Sequence, residues 1–397
     1  MTASMRNISP SLEKSTKMQI VDPKIESQTP PHVYDAGDMK FSRIVVTGDV
    51  IRTGFNQEKP NQNVNIGWLY RMFGPVLSQA ASLPVSILRS MPEDGFDIRK
   101  FYHLCNFGLK PNGGNWAQIF DADTLHPEAA EYLVHRFQDA LVFGLEIPPS
   151  FCKLFDRNAI PYIDLTFHPI RYAKELTLGI RTNYPPALER LPAFGATEAE
   201  HYVEANIFKS NAQGSVPDLA PGALLAGQTI GDRVTIRNGG FVSLMDYAEE
   251  ISRELSPYDV VYFKRHPLVR NDHDIIRFLS GLPNLKIIDE NIYDLFCSGL
   301  ISDVYSLCSG ASVEAKYFGL NGHTFYDSIN NFRELDDCSG LDESSVFTSI
   351  KGWSLSAGWW QYVLGLSDTA PTFPPHYSSQ SPIRDTLKQN WGLKPHS

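Results

Sequence analysis

Ala223-Leu224-Leu225-Ala226, running into Gly227-Gln228-Thr229-Ile230-Gly231-Asp232, is the first of three apolar runs that each stop at residues suited to chemistry. Val260-Val261-Tyr262-Phe263 runs into Lys264-Arg265-His266-Pro267, and Val304-Tyr305-Ser306-Leu307-Cys308 runs into Ser309-Gly310-Ala311-Ser312-Val313-Glu314. Short continuous apolar runs of this kind read as strands buried on both faces, as in a parallel sheet. Between them lie helix patterns at 243–255, 273–281, 291–299 and 311–318, with further strands at 285–288 and 323–326. Strand and helix alternation predicts an α/β fold with a parallel sheet. Ligands of open α/β sheets bind outside the carboxyl ends of the strands. A carboxylate, a His-Pro pair and a Ser-Gly helix start are therefore expected around one ligand, and that set suits a donor with a phosphate leaving group.

Working outward, a second set of strands is expected at 41–46, 140–145 and 162–165, with helices at 127–140 and 197–210. The chain of 397 residues has room for two or three domains. Residues 1–40 are polar and read as a flexible lead-in; 41–220 and 221–345 read as two α/β domains, the second the nucleotide-donor side; 346–397 read as a C-terminal helix and tail. The linker is placed at Asn211–Pro221. Trp353, Trp359 and Trp360 are expected to pack the final helix across the domain seam, and the tail from about 367 to be weakly ordered.

Composition narrows the function. An apolar share of 42% and a charged share of 20% describe a soluble globular chain. The net charge of −10 argues against a nucleic-acid partner, since phosphate neutralisation needs a basic surface. The five scattered cysteines offer no CxxC pair, so a disulfide framework or zinc site is not expected and a cytoplasmic setting fits. No run approaches the roughly 18 apolar residues of a membrane span; peripheral association with a membrane's inner face stays open.

The candidate site residues follow from their positions. Pro267 breaks its strand and holds His266 at the sheet edge beside Lys264, where an imidazole can donate to a phosphate oxygen; the plainer role is a turn histidine in solvent. Ser309, Gly310 and Ser312 open a helix whose free N–H groups suit an anion, or Ser simply caps that helix. Glu314 either accepts from ribose hydroxyls or complements the helix dipole. Gln228 and Asp232 lie on the loop after the first strand, where Asp232 is either a solvated loop acid or the nucleophile facing a sugar carbon. In the first half, Glu146, Asp164, His168 and Arg171 cluster at strand ends. Arg171 suits a sugar carboxylate, and Asp164 or Glu146 an acceptor hydroxyl as general base; loop ion pairs are the alternative.

Taken together, Phe143-Gly144-Leu145-Glu146-Ile147-Pro148-Pro149-Ser150, Ile160-Pro161-Tyr162-Ile163-Asp164, His168-Pro169-Ile170-Arg171, Gly227-Gln228 with Asp232, Lys264-Arg265-His266-Pro267 and Ser309-Gly310-Ala311-Ser312-Val313-Glu314-Ala315 resemble the retaining β-Kdo transferases of bacterial capsule and O-antigen assembly, of the KpsC and WbbB kinds. The resemblance covers roughly residues 41–330. It implies a GT-B glycosyltransferase: two Rossmann-like domains facing a cleft, with a C-terminal helix crossing the seam. The donor would be CMP-β-Kdo and the acceptor a glycan of a surface polysaccharide. His266 would meet the phosphate and Pro267 the cytosine, while Ser309, Gly310 and Glu314 would sit near phosphate and ribose. Asp232 would carry Kdo as a covalent adduct, giving net retention. Gly231 before Asp232 departs from the capsule enzymes. No cofactor and no metal are implied. The alternatives are a transferase using another CMP- or CDP-activated donor, such as sialic acid or a polyol phosphate, where a donor lacking a carboxylate would not need Arg171, and a non-catalytic glycan- or nucleotide-binding module of a larger assembly enzyme, which would release no CMP.

Overall fold

The computed structural model describes residues 34–36, 39–53, 62–211, 219–229, 231–267, 269, 273–327, 329–372 and 381–387. Most of the lead-in, the centre of the linker and much of the tail lie outside the described residues.

Two sheets organise the chain. The first contains β1 (Arg43–Gly48), β2 (Val85–Ile87), β3 (Ala140–Leu145), β4 (Tyr162–Phe167) and β5 (Leu178–Thr182). The second contains β6 (Gly222–Ala226), β7 (Val261–Lys264), β8 (Leu285–Ile288), β9 (Ile301–Ser306) and β10 (Asn321–Thr324). The chain then returns to the first sheet with β11 (Asn331–Phe332) and β12 (Val346–Ile350).

The second sheet is wholly parallel, in the order β8–β7–β6–β9–β10. Chain order reverses between β6 and β9, so the loops after those two strands flank a topological switch point. The first sheet runs β11–β12–β5–β4–β3–β1–β2; β1 to β4 are mutually parallel, and β5 is antiparallel to both β4 and β12. Its strands β1 and β3 are buried almost throughout, so apolar residues occupy successive positions rather than alternate ones. One face packs on the helix Asn63–Ala81, the other on helices Ile98–Leu104, Gly113–Phe120, Pro127–Phe137 and Pro149–Arg157.

Three expectations differ from the structure. Residues 331–350 do not complete the second half: β11 and β12 extend the first sheet beyond β5, whose antiparallel direction opens an edge for them. Trp359 and Trp360 do not bridge a seam. They are fully buried in the first half's core, where Trp360 meets Phe143 edge-on at 5.3 Å; truncating either to Ala costs about 3–5 kcal/mol. The tail beyond 367 also contains an ordered helix, Pro382–Leu387, whose Ile383 is buried in the same core and whose Arg384 donates to the carbonyls of Arg171 and Ala173. In the other direction, the helix Glu198–Asn211 lends Ala205 to the second half's core.

Candidate active site

The carboxyl ends of both sheets meet, and the side chains between them form an alternating lattice of acids and guanidinium groups. Arg52 follows β1. Its Nη1 lies 3.6 Å from Glu146 Oε2, and its Nη2 lies 3.3 Å from Asp232 Oδ1. Arg233, next in sequence to Asp232, places Nε 3.3 Å from Glu146 Oε1 and donates from Nη2 to Thr166 Oγ1 and Asn330 Oδ1. Glu146, one residue past β3, adopts φ +58°, a left-handed backbone that is uncommon for a residue with a side chain. Such local strain persists where the surroundings over-determine it, and here two arginines hold the carboxylate.

Asp232 caps the short turn Arg233–Thr235 by accepting from the Arg233 N–H at 2.7 Å, which fixes one oxygen. Its side chain nevertheless remains 36% exposed, the most open of these four. His266 and Lys264 stand at the end of the neighbouring β7. Burial holds the His266 imidazole below its ordinary pKa, opposed by the Asp232 carboxylate and reinforced by Lys264. Burial also lowers Lys264, opposed by Asp289 and Glu290. Gly227 makes this convergence possible: a Cβ there would stand 3.0 Å from the His266 N–H nitrogen and 3.1 Å from the Lys264 carbonyl oxygen. Gln228 bridges the switch point by accepting from the Cys308 N–H at 3.3 Å. Pro267 is exposed beside it.

Beneath the lattice lies Asp49, one residue past β1. It is buried, and its Oδ2 accepts from Trp116 Nε1 at 3.0 Å. Burial raises its carboxyl to about 7, with Arg52 the largest opposing influence. Arg52 lies over the face of the same indole, 5.1 Å from its centroid. The available signal was Thr47-Gly48-Asp49 at the end of the first strand, where a carboxylate reaches the same crevice as Glu146.

Four expected site residues serve the fold instead. Asp164 is fully buried; Oδ1 accepts from the Ile147 N–H at 2.8 Å and Oδ2 from Arg181 Nε at 2.9 Å, so it offers no free oxygen to an acceptor. His168 is fully buried, with Nδ1 accepting from the Ile170 N–H and Nε2 2.8 Å from Glu334 Oε1. Ser312 Oγ is satisfied by Ser306 and the Val304 carbonyl of β9 and by the His323 carbonyl of β10. Glu314 is buried. It accepts from the N–H groups of Arg171 and Tyr172 and from the Tyr293 hydroxyl, tying the second half to the first. Burial pushes its carboxyl up to about 7 against those donors.

Among the described residues, His168, His201 and Glu334 gather metal-ligand atoms within 4.8 Å. The hydrogen bond into His168 Nδ1 puts the ring proton on Nε2, facing Glu334. A neutral ring so held carries its proton on the nitrogen 2.8 Å from Glu334 Oε1, whereas a ligating Nε2 carries none.

Ser309 caps its helix through Ala311, and Gly310 sits where a Cβ would lie 2.6 Å from the Pro169 carbonyl oxygen of the first half. Arg171 is held near this seam. Burial lowers its guanidinium to about 10, opposed by Glu314 and Glu146, so it stays cationic at neutral pH. No described helix is long and apolar enough to cross a membrane, and all five cysteines are free thiols.

No family model and no curated protein matches the chain. Among solved structures, two KpsC chains of Thermosulfurimonas dismutans are similar to it. One is a β-Kdo 2,7 transferase with 16% identity over 60% of this chain and 80% of that one, at a TM-score of 0.32. The other is a β-Kdo 2,4 transferase with 16% identity over 64% and 75%, at a TM-score of 0.33.

Proposed function

We propose that the protein is a retaining β-Kdo transferase that moves Kdo from CMP-β-Kdo to a sugar of a surface polysaccharide, with the two sheets as the halves of a GT-B cleft. The observation that carries this reading is Asp232: a partly exposed carboxylate on the loop beside the switch point, steadied by Arg52 from the opposite half and within the field of His266.

In the first step, an Asp232 oxygen attacks the anomeric carbon as the carbon–phosphate oxygen bond breaks. CMP leaves with the bonding electron pair. Neutral His266 donates a hydrogen bond and Lys264 a charge to the departing phosphate. Arg171, cationic and near Glu146, suits the sugar's carboxylate. In the second step an acceptor hydroxyl attacks the same carbon, the bond to Asp232 breaks, and the hydroxyl proton passes to a base. Two inversions give retention. Glu146 is the half-buried carboxylate of the first half, facing Asp232 across Arg52, that is suited to be that base. Gln228, Ser309 and Gly310 shape the nucleotide side of the cleft, and Pro267 offers an apolar face to the base.

The test is CMP release from CMP-Kdo with and without acceptor. Asp232→Asn should lower turnover by about a thousandfold or more while CMP still binds. Turnover near the wild-type rate would remove Asp232 from the chemistry.

A further inference from the structure

The charges at the site do not stay balanced through the proposed reaction, and the structure holds a group placed to restore the balance. The inference rests on the double-displacement reading. In the resting site, Arg52 and Arg233 face Glu146 and Asp232, two cations against two anions. When Asp232 becomes an ester, its negative charge leaves on the CMP phosphate. Two guanidinium groups then share Glu146 alone.

We propose that Asp49 is a positioning residue that takes over Arg52 whenever Asp232 is esterified, ionising as the adduct forms and recovering a proton as it breaks down. Three observations place it for that role. Asp49 Oδ1 and Arg52 Nε are both buried with no hydrogen-bond partner, whereas Asp49 Oδ2 is anchored to Trp116. One indole carries both residues, Asp49 at its N–H and Arg52 over its face, so Arg52 can change its ion partner without leaving its seat. Asp49 is the fifth ionisable member of a lattice that is neutral without it.

The charged and titratable groups facing Asp49 are Arg52, Glu146, Arg233 and Tyr102. Tyr102 donates its hydroxyl proton to the Ile51 carbonyl and stays neutral, since burial raises it far above the neutral range. The burial of Asp49 itself and the nearby Glu146 push its carboxyl up to about 7, with Arg52, the Trp116 hydrogen bond and Arg233 pulling the other way. Removing the negative charge of Asp232 leaves Arg52 a stronger pull on Asp49. The protons balance: Asp49 releases one to solvent when the Asp232–sugar bond forms, and the acceptor hydroxyl supplies one, through Glu146 or solvent, when that bond breaks.

Two measurements test this. The first needs no substrate. Trp116 fluorescence, isolated by difference against Trp116→Phe, should titrate with a midpoint near 7 in the wild type. The midpoint should fall by roughly one unit in Asp232→Asn, which mimics the discharged ester, and the titration should vanish in Asp49→Asn. A midpoint that stays put or rises in Asp232→Asn overturns the inference. The second follows the adduct by rapid quench. Asp49→Asn should form it about tenfold more slowly, because nothing then replaces the charge that Asp232 gives up, and pass the sugar on at or above the wild-type rate, with a flattened pH profile of formation between about 6 and 8. Asp49→Glu should restore part of the formation rate and its pH profile. Unchanged formation with an unchanged pH profile overturns it. Absence of any adduct in the wild type would sink the double-displacement reading, while the fluorescence result would still decide whether Asp49 and Asp232 are coupled.

Discussion

The guanidinium of Arg52 lies 3.3 Å from the carboxylate of Asp232, a contact made across 180 residues of sequence and between the two sheets. It fixes where the second half presents the most open side chain of the lattice. Because Arg52 also reaches Glu146, the carboxylate suited to bond making and the one suited to proton transfer are held by one cation.

Asp164 distinguishes a structural acid from a catalytic one. Asp164→Asn leaves Arg181 buried without its anion, and breaking such a pair costs about 3–5 kcal/mol. Denaturant unfolding should show a large fall in midpoint. A fully stable variant with no activity would instead restore Asp164 as the general base.

Glu314 should give the protein a pH-dependent stability. Its carboxyl is raised from an ordinary 4.5 to about 7, so the folded state holds the proton more tightly than the unfolded chain. The stability from this site is therefore full below about pH 4.5 and is lost as pH rises through about 7. Glu314→Gln keeps an acceptor for the Arg171 and Tyr172 N–H groups and cannot ionise. Melting temperatures of both proteins between about pH 5 and pH 8 should shift in the variant's favour as pH rises. A difference that does not change with pH would contradict this. Glu314→Ala leaves those N–H groups unsatisfied and should be destabilised at every pH, by about 1–3 kcal/mol.

Gly310 is required by contact rather than by backbone angle. An added methyl would meet the Pro169 carbonyl of the opposite half at 2.6 Å. Gly310→Ala should therefore cost about 1–3 kcal/mol of stability in urea unfolding. The same forced separation of the halves should weaken donor binding, read as a raised KM for CMP-Kdo. An unchanged KM in a folded variant would show that the Ser309–Gly310 turn does not shape the donor site.

The three central strands of the second sheet were legible in the sequence because they are largely buried and read as apolar runs such as Ala223-Leu224-Leu225-Ala226. The switch-point residues Gln228, Asp232 and His266 were legible for the same reason: strand ends are visible where such runs stop. What the sequence hid was partnership over distance. Asp164, His168 and Glu314 have the right chemistry for a site, but Arg181, Glu334 and the backbone N–H groups of Arg171 and Tyr172 claim them. The strands β11 and β12 were hidden because β11 has only two residues and β12 mixes Thr and Ser into a buried run. Arg52 and Asp49 were overlooked because their importance comes from Trp116 and from the other sheet, neither of which is near them in sequence.

The most direct test of the central claim is intact-protein mass spectrometry after mixing with CMP-Kdo in the absence of acceptor. The wild type should gain the mass of one Kdo residue, mapped by peptide digestion to Asp232, and Asp232→Asn should gain none. A wild type that releases CMP and transfers Kdo with no adduct at any time point, or an adduct mapped to another carboxylate, would contradict the account.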